Sequence, residues 1–255
     1  MNKKFIGIIP ARYASTRFPG KPLAMLGNMP VIEHVYRRVA SVLDNVVVAT
    51  DDDRIKDVVE AFGGSAIMTS SNHQSGTDRC REAVEKSGTD ADIVINIQGD
   101  EPFIAPSQLE QLMQCFNDEE VKIASLARRF DAEKGFDALF DPNLVKVVMD
   151  DKMNALYFSR SIIPYVRSCD WKKWLEAATF HTHVGLYAFR KETLNEIAAL
   201  ERSSLEIAES LEQLRWLQNG YKIRMAITDE PTIGIDTPAD LEAAIEYLNA
   251  GANHE

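Results

Sequence analysis

Short runs of β-branched and other apolar residues alternate with longer amphipathic segments over positions 1–130 of the chain. The apolar runs predict strands at 5–10, 46–50, 66–69, 93–98 and 122–128. The segments between them predict helices at 30–43, 52–62, 77–87 and 106–117. Apolar strands separated by helices of about ten or more residues are typical of a parallel sheet with helices on both faces. The sequence therefore predicts an α/β fold with a Rossmann-like, mostly parallel sheet.

After about position 131 the connections lengthen and the regular alternation of strands and helices is lost. Strands are predicted at 145–149, 155–158, 183–189 and 222–228, and helices at 205–219 and from Pro238 to about Leu248. This pattern indicates a smaller inserted layer of antiparallel or mixed strands that covers the sheet. The chain has no internal repeat, low-complexity tract or Gly/Ser linker. We therefore predict one domain over 1–255 with an elaborated second half.

The charge of the chain restricts the classes of partner that it can bind. With 28 Lys and Arg residues against 39 Asp and Glu residues, the 255-residue chain carries a formal net charge of −11. Nucleic-acid binding depends on accumulated positive charge, so a nucleic-acid partner is not expected. The apolar run that starts at Phe5 is stopped by Pro10 and Arg12, too early for a signal peptide or a membrane span. We expect a cytoplasmic protein without membrane insertion.

The three cysteines, Cys80, Cys115 and Cys169, are far apart in the sequence and odd in number. None of them belongs to a CxxC or Cys/His pattern, so we expect neither a disulfide nor a zinc site. We interpret all three as small buried hydrophobic side chains.

The opening segment, positions 1–32, contains five basic side chains and no acidic one, although the chain is acidic overall. Arg12, Arg17 and Lys21 lie in a loop after the first predicted strand, together with Ser15 and Gly20. A buried strand that leads into such a loop commonly forms a phosphate site, because small residues let backbone amides approach the anion. The loop matches neither the P-loop pattern nor GxGxxG. From the residues alone, a local anion site and an ordinary solvated loop both remain open.

Two acidic residues follow apolar runs in the sequence. Asp100 comes after the run 93–97 and Asp236 after the run 233–235, so we expect both at the carboxyl ends of strands. Ligands bind at that end of open α/β sheets, and carboxylates there provide the hard oxygen ligands that magnesium prefers. The alternative is that Asp100 caps a turn and that Asp236 caps the helix beginning at Pro238.

The second half contains a strand face and a helix face with polar side chains. Period-two alternation places His183, Gly185 and Tyr187 on one face of a strand. In the helix predicted at 205–219, helical periodicity separates a polar stripe from an apolar one. The polar stripe consists of Glu209, Glu212 and Gln213, and the apolar stripe of Ile207, Leu211, Leu214 and Leu217. By default a strand histidine is a satisfied core residue and a polar stripe is solvated.

Nine segments, in order along almost the whole chain, resemble motifs of the sugar nucleotidyltransferases in the form shared by 3-deoxy-manno-octulosonate (Kdo) cytidylyltransferases. The opening loop reads IPARYASTRFPGKPLAMLG. The other segments are VATDDDRI, HQSGTDR, NIQGDEPFI, VKVVMD, ALYFSRSIIP, HVGLYAFR, SLEQLR and GIDTPADLE. One such motif would be weak evidence, whereas nine in the order of the family are specific.

This resemblance implies a nucleotide-diphospho-sugar transferase type of fold and an enzyme that transfers CMP from CTP to Kdo. The products would be pyrophosphate and CMP-Kdo, the activated form of Kdo for lipopolysaccharide biosynthesis. The resemblance also implies that residues 1–130 mainly bind CTP and that residues 131–255 mainly bind the sugar and form a homodimer. Mg²⁺ is the implied cofactor.

The resemblance further assigns roles to individual residues. The implied catalytic residues are Arg12, Lys21, Asp100 and Asp236, of which the two aspartates hold magnesium. The implied CTP-binding residues are Arg12, Arg17, Lys21, Gln74, Ser75, Gly76, Thr77 and Arg79. The implied sugar-binding residues are Gln98, Arg160, His183, Tyr187, Glu209, Glu212 and Gln213. Within this last set, Arg160 is expected to face the carboxylate of the sugar acid, since its planar fork matches a carboxylate.

Two segments near the implied sugar site depart from the family pattern or lack a motif. The chain reads RSSLEIAESLEQLR where many relatives have a Pro-Ser or similar turn and a histidine or lysine, and 167–182 carries no motif. The open alternatives are a cytidylyltransferase for another sugar acid, such as 8-amino-Kdo or a sialic acid, and a non-catalytic nucleotide-sensing relative. Tyr157, Phe158 and Ile162 are candidates for either a dimer interface or the core.

Overall fold

The computed structural model describes residues 3–73 and 75–252. Gln74, one of the implied CTP-binding residues, lies outside the described residues. The described chain forms two compact units, each assembled from separate stretches of sequence. The first unit contains 3–110, 190–198 and 231–252, and the second contains 111–189 and 199–230. The units therefore do not coincide with the sequence halves 1–130 and 131–255, because two later segments return to the first unit.

The described residues form eleven strands and nine α-helices. The strands are β1 (Phe5–Ala11), β2 (Met25–Leu26), β3 (Met29–Pro30), β4 (Val46–Thr50), β5 (Ala66–Met68), β6 (Ile93–Asn96), β7 (Ile123–Arg129), β8 (Lys146–Met149), β9 (Ala155–Ser159), β10 (His181–Arg190) and β11 (Ile223–Thr228). The helices are α1 (Val31–Ala40), α2 (Asp53–Ala61), α3 (Gly76–Ser87), α4 (Pro106–Gln114), α5 (Trp174–Ala177), α6 (Lys191–Ala198), α7 (Ser204–Glu209), α8 (Gln213–Gln218) and α9 (Pro238–Ala252).

The first unit is built on four parallel strands in the order β6, β1, β4, β5. In this register Ile8 of β1 lies opposite Val47 of β4 and Asn96 of β6. The strands are apolar along their length because helices cover them, and α1, α2, α3 and α6 all contact this part of the sheet. The predicted α/β class with a mostly parallel sheet is confirmed.

The strands of the second unit pair in both parallel and antiparallel directions, as predicted. Strand β7 pairs in parallel with β11 and antiparallel with β10. Strands β8 and β9 form an antiparallel hairpin, and Lys146 of β8 lies opposite Thr182 of β10. The segment 167–182, which carries no motif, contributes Trp174 and Phe180 to an aromatic core cluster around Phe136. This segment therefore has a packing role in the second unit.

Every strand and helix predicted over positions 1–130 is present, and the ends of each differ from the prediction by three positions at most. The strand at 46–50 is reproduced without change, whereas the helix predicted at 106–117 ends at Gln114 and continues as a 3-10 turn over Cys115–Asn117. Buried strands and amphipathic helices differ strongly in hydrophobic period, and this difference explains the agreement.

The single helix predicted at 205–219 is wrong. Ser210 adopts φ 52° and ψ 46°, a left-handed conformation that ends α7 before α8 begins. The two stripes predicted for one continuous helix are consequently wrong as well, since Ile207 is 58% exposed and Gln213 only 5% exposed. A buried bidentate salt bridge between Arg215 and Glu206, with nitrogen–oxygen distances of 2.8 and 2.7 Å, links α8 to α7.

The strand expected before Asp236 is also absent, because residues 233–235 adopt no regular structure. Ile235 is instead buried in an apolar cluster with Leu26, Val31 and Ala244. Its N–H donates a hydrogen bond of 2.9 Å to the carbonyl oxygen of Asp100. Asp236 is therefore positioned by a buried irregular segment and not by a strand end.

The cysteines and the candidate interface residues differ in burial. Cys80 is buried, whereas Cys115 and Cys169 are free and half-buried, so the interpretation of all three as buried side chains holds fully only for Cys80. Phe158 is fully buried and belongs to the core, while Tyr157 and Ile162 are half-buried. None of the described helices is both long and apolar enough to cross a bilayer.

Candidate active site

A cavity of about 290 Å³ lies in the first unit where β1 and β6 end. Its wall includes Pro10 and Ala11 at the end of β1 and Gln98 and Gly99 after β6. The sequence-predicted residues that line this cavity are Arg12, Arg17, Lys21, Ser75, Gly76, Arg79, Gln98, Asp100 and Asp236. The structure therefore brings together most residues assigned to CTP and magnesium.

Gly99 allows the segment after β6 to pass close to the end of β1. A β-carbon on Gly99 would lie 2.7 Å from the carbonyl oxygen of Pro10, closer than non-bonded atoms approach. The glycine in NIQGDEPFI therefore has a packing reason, and its absence of a side chain brings Asp100 to the cavity.

The loop after β1 closes on a single carbonyl group. The carbonyl oxygen of Tyr13 accepts hydrogen bonds from the N–H groups of Ser15, at 3.0 Å, and Gly20, at 2.9 Å. Gly20 has φ 73°, in the left-handed region that favours glycine, and Lys21 begins a short 3-10 turn directly after it. This backbone geometry directs the loop around the cavity.

The Lys21 ammonium lies between two carboxylates that are distant in sequence. Its Nζ is 2.5 Å from Asp100 Oδ2 and 3.2 Å from Asp236 Oδ1. Arg17 also reaches Asp236, with Nη2 3.2 Å from Oδ2, while Arg12 is exposed at the cavity. The Lys21 side chain is only 12% exposed, so water screens this contact less than it screens a surface ion pair.

The carboxylate of Asp236 is not the cap of α9. That role belongs to Thr237, whose hydroxyl accepts a hydrogen bond of 3.2 Å from the N–H of Asp240. The Asp240 carboxylate in turn accepts from the N–H groups of Asp236 and Thr237, at 3.0 and 2.8 Å. This reciprocal arrangement is a capping box. The capping alternative for Asp236 is therefore wrong, and its carboxylate faces cationic side chains.

The donor set at the cavity fits a magnesium ion. Magnesium takes hard oxygen ligands, typically one or two carboxylates completed by phosphate and water oxygens. Asp100 and Asp236 satisfy this requirement because both already contact one cation, the Lys21 ammonium. Within the described part of the chain, no group of three or more His, Cys, Asp or Glu side chains is arranged to hold a metal. A magnesium ion here would thus depend on a bound nucleotide and water for its remaining ligands.

Glu101, the residue after Asp100, is in a different electrostatic state from its neighbour. Burial, and next the charge of Asp100, raise the pKa of Glu101 to about 7. At neutral pH Glu101 is therefore partly protonated. The negative charge at the cavity comes mainly from Asp100 and Asp236.

A second side of the cavity is formed by the start of α3. Ser75 is the N-cap of this helix, and its hydroxyl accepts a hydrogen bond of 3.1 Å from the N–H of Asp78. Gly76, the first helical residue, lines the cavity beside it. Thr77 is 1% exposed and buried within the unit, so it is not part of the cavity lining. Of the predicted HQSGTDR residues, Ser75, Gly76 and Arg79 are the ones that line the cavity.

Arg79 lines the cavity while much of its guanidinium is held within the protein. It is 4% exposed, and its Nη1 donates to Thr69 Oγ1 at 2.6 Å while Nη2 contacts Asp51 Oδ2 at 2.9 Å. Sequence reasoning gave Asp51 and His73 no role in the site, although His73 also lines the cavity. Asp51 lies in the motif VATDDDRI and His73 in the motif HQSGTDR. Membership of these motifs is the only sign in the sequence that the two residues belong to the site.

Two predicted sugar-binding residues, His183 and Tyr187, meet on β10 in the second unit. Their ring centroids are 5.2 Å apart, and a hydrogen bond of 2.9 Å joins His183 Nε2 to Ser125 Oγ. Burial lowers the pKa of His183 to about 3, so its ring is neutral at physiological pH. The Tyr187 hydroxyl is buried without a hydrogen-bond partner among the described residues. Burial and then the charge of Glu212 raise the pKa of Tyr187 well above its ordinary value.

Arg160 and Glu209 are brought together at the end of β9. The Glu209 carboxylate accepts hydrogen bonds from the Ser159 hydroxyl at 2.7 Å and the Arg160 N–H at 2.9 Å. The Arg160 guanidinium donates to three carbonyl oxygens, those of Glu209, Pro142 and Ser210, at 2.6, 2.7 and 3.3 Å. Arginine has five N–H donors, so two remain for a ligand.

The last three sugar candidates do not all lie in one unit. Glu212, the residue before α8, belongs to the second unit, and its Oε1 lies 3.7 Å from Nη2 of Arg215. Gln213, the first residue of α8, is buried in the second unit. Gln98 belongs to the first unit, where it lines the cavity described above.

Comparison with known proteins places the chain in a family. The family model described as cytidylyltransferase matches residues 6–223 of this chain. The chain belongs to the cytidylyltransferase family. It is 60% identical over 245 residues to a protein of Bacteroides thetaiotaomicron named 3-deoxy-manno-octulosonate cytidylyltransferase, covering 96% of this chain and 98% of the relative. A protein of Parabacteroides distasonis with the same name is 56% identical over 246 residues, with the same coverage of both chains.

Solved structures show the same fold. A structure of CMP:2-keto-3-deoxy-manno-octonic acid synthetase complexed with CTP is 43% identical and superposes with a TM-score of 0.89, covering 98% of this chain and all of that one. A 4-diphosphocytidyl-2C-methyl-D-erythritol synthase from Anaerococcus prevotii has a TM-score of 0.62 at 17% identity over 96% of this chain and 99% of its own, and supports the fold alone. The chain therefore has the nucleotide-diphospho-sugar transferase fold implied by its sequence.

The depressed pKa of His183 predicts how stability depends on pH. Below the ordinary value of 6.5 the unfolded chain takes up a proton that folded His183 does not bind until about pH 3. Stability from this residue is therefore complete above pH 6.5 and declines as pH falls toward 3, by about 1.4 kcal/mol per unit at most. In urea unfolding, His183→Gln should reduce the loss of stability between pH 7 and pH 5 by about 1–2 kcal/mol. Equal losses in both proteins would contradict this, and the interval from pH 7 to 8 serves as the control.

Proposed function

We propose that this chain is a 3-deoxy-manno-octulosonate cytidylyltransferase, which transfers CMP from CTP to Kdo and releases pyrophosphate. The observation that carries the proposal is the contact of one lysine, Lys21, with both Asp100 and Asp236 in a cavity lined by further cations. The names of its relatives identify the substrates. The enzyme acts in the cytoplasm, because CTP is an intracellular metabolite.

The reaction is an in-line displacement at the α-phosphorus of CTP. The anomeric hydroxyl oxygen of the sugar acid forms the new bond to phosphorus, the hydroxyl proton leaves to solvent, and the bond to pyrophosphate breaks. Such phosphoryl-type transfer needs little covalent chemistry from the protein, so positioning and neutralisation of charge dominate. No side chain is required as a nucleophile.

The basic loop neutralises the triphosphate in this proposal. Arg12, Arg17 and Lys21 line the cavity and supply three positive charges near the negative phosphate oxygens. Because its two carboxylate partners fix the Lys21 ammonium, the lysine is already oriented before a nucleotide binds. When bound by Asp100 and Asp236, magnesium supplies additional charge neutralisation at the phosphates.

The sugar acid is bound by residues of the second unit in this proposal. Neutral His183 and the unpartnered hydroxyl of Tyr187 suit the hydroxyl groups of a sugar, because both can hydrogen-bond without adding charge. The two unused N–H donors of Arg160 suit its carboxylate. Glu209 supports this arrangement by holding the backbone N–H of Arg160.

A turnover screen tests the proposed reaction. The protein is incubated with magnesium and CTP together with Kdo, 8-amino-Kdo or a sialic acid, and pyrophosphate release is measured. We expect the highest kcat/KM with CTP and Kdo, and a loss of turnover when magnesium is chelated. Release with another sugar acid but not with Kdo would reassign the substrate, and release with none of them would support a nucleotide-sensing relative instead.

Asp100→Asn tests the charge assignment at the cavity. The variant keeps the shape of the side chain but removes a charge that holds Lys21 and is proposed to bind magnesium. We expect kcat to fall by about a hundredfold or more, as is typical when charge stabilisation in a transition state is lost. Asp90→Asn is the matched control, since Asp90 pairs with Lys4 at an exposed site and should leave turnover unchanged. Unchanged turnover of Asp100→Asn would refute the assignment.

A homodimer formed through the second unit completes the proposal. Leu156, on the edge strand β9, is 60% exposed, and Tyr165 is 76% exposed beside a cavity with aromatic walls. Exposed apolar surface of this kind is typical of an interaction site. By light scattering after size exclusion, Leu156→Glu with Tyr165→Glu should convert the dimer to a monomer. Tyr247→Glu, on exposed Tyr247 of the first unit, should leave the dimer intact, and a monomeric native chain would refute the proposal.

A further inference from the structure

The described residues between β5 and α3, positions 69–73 and 75, form a segment that borders the active-site cavity. Its backbone leaves β5 at Thr69, whose N–H donates to the carbonyl oxygen of Thr50 at 2.7 Å. It then runs over the surface through residues 70–72 and reaches the cavity at His73. Ser75 and Gly76 follow at the start of α3. The position of this segment consequently determines the shape of that border.

One carboxylate on α3 holds this segment at both ends. Glu82 Oε2 accepts a hydrogen bond of 2.8 Å from the N–H of Ser70, and the same oxygen bonds to the His73 ring. Glu82 Oε1 is 2.7 Å from the Nζ of Lys86, one helical turn further along. Lys86 also donates to the carbonyl oxygen of Met68 at 2.8 Å. The contacts of Glu82 and Lys86 thus extend along the chain from Met68 to His73.

We propose that Glu82 is a positioning residue for the nucleotide, and that through Ser70 and His73 it sets the affinity for CTP and the preference for cytosine. This inference rests on the proposed transfer of CMP from CTP. Glu82 itself does not line the cavity, so it acts through the residues that it holds.

The electrostatic state of Glu82 is suited to this role. Burial alone would raise its pKa, but hydrogen bonds from Lys86, Ser70 and His73 lower the pKa to about 2. The carboxylate therefore remains charged throughout the physiological range. Hydrogen bonds to a charged acceptor are stronger than those between neutral groups, so the segment is held firmly.

The border that Glu82 supports has the chemistry to recognise a base. The side chains proposed for the triphosphate are the cations Arg12, Arg17 and Lys21, which belong to the loop after β1. The border formed by His73, Ser75 and Gly76 instead offers an imidazole, a hydroxyl and backbone groups. A pyrimidine is distinguished by such donors and acceptors, because cytosine and uracil differ in one amine and one carbonyl group. Displacing this border should lower both the affinity for the base and the selectivity for cytosine over uracil. The charges at the phosphates should stay in place.

Steady-state kinetics of Glu82→Ala and Glu82→Gln test the inference. For Glu82→Ala we expect the KM for CTP to rise about tenfold with kcat within about twofold, and the ratio of kcat/KM for CTP over UTP to fall. Glu82→Gln keeps an acceptor for the Ser70 N–H, so it should show a smaller change in the same direction. Glu85→Ala is the matched control, since Glu85 is an exposed glutamate on the same helix.

A purely structural role predicts a different result. A smaller folded fraction lowers apparent kcat and leaves the KM for CTP and the ratio of CTP to UTP unchanged, and that pattern would overturn the inference. Calorimetric titration of the native protein and Glu82→Ala with CTP and with UTP does not depend on the transfer reaction. If the native protein binds CTP but fails to turn over with any sugar acid, the proposed function fails. A tenfold loss of CTP affinity in Glu82→Ala would still support the role of Glu82.

Discussion

The ammonium of Lys21, shared by Asp100 and Asp236, is the interaction on which the active-site cavity depends. The two carboxylates are 79 and 215 residues away from the lysine in sequence. A backbone hydrogen bond also joins the segments that carry the two aspartates. Ile235, which is buried in an apolar cluster, donates its N–H to the Asp100 carbonyl oxygen. Apolar burial thus fixes the backbone, and charge fixes the side chains. As a result, the loop after β1, the segment after β6 and the segment before α9 meet at the cavity.

Much of this fold is predictable from the sequence, since buried parallel strands and amphipathic helices have different hydrophobic periods. The ends of the elements over positions 1–130 were therefore located to within three positions. The errors occur where a local conformation or a distant contact overrides the pattern. Ser210 ends a helix whose periodicity continues through it, and the apolar run before Asp236 packs into a cluster without pairing as a strand.

For the candidate site, too, one part is predictable from the sequence and another is visible only in the structure. From its residues alone the acid-free opening segment could be an anion site or a solvated loop. The family motifs are what link Lys21 with Asp100 and Asp236. That the three side chains touch is visible only in three dimensions, as is the support that Glu82 gives to the segment before α3. Thr77 is buried away from the cavity although its motif neighbours line it, because successive residues at a helix start face different directions. The magnesium ion, the dimer and the residue roles stay predictions.

The capping of α9 by Thr237 and Asp240 has an evolutionary consequence. Adjacent residues divide two tasks, since Thr237 starts the helix and Asp236 contacts the cations of the cavity. The side chain at position 236 can therefore change in evolution without removing the cap of the helix that follows. In a chain where one aspartate served both purposes, a single mutation would remove the contact with the cations and also cost about 1 kcal/mol of stability at the helix start. Separating the tasks leaves the contacts of residue 236 with Lys21 and Arg17 free to change while the start of the helix is kept.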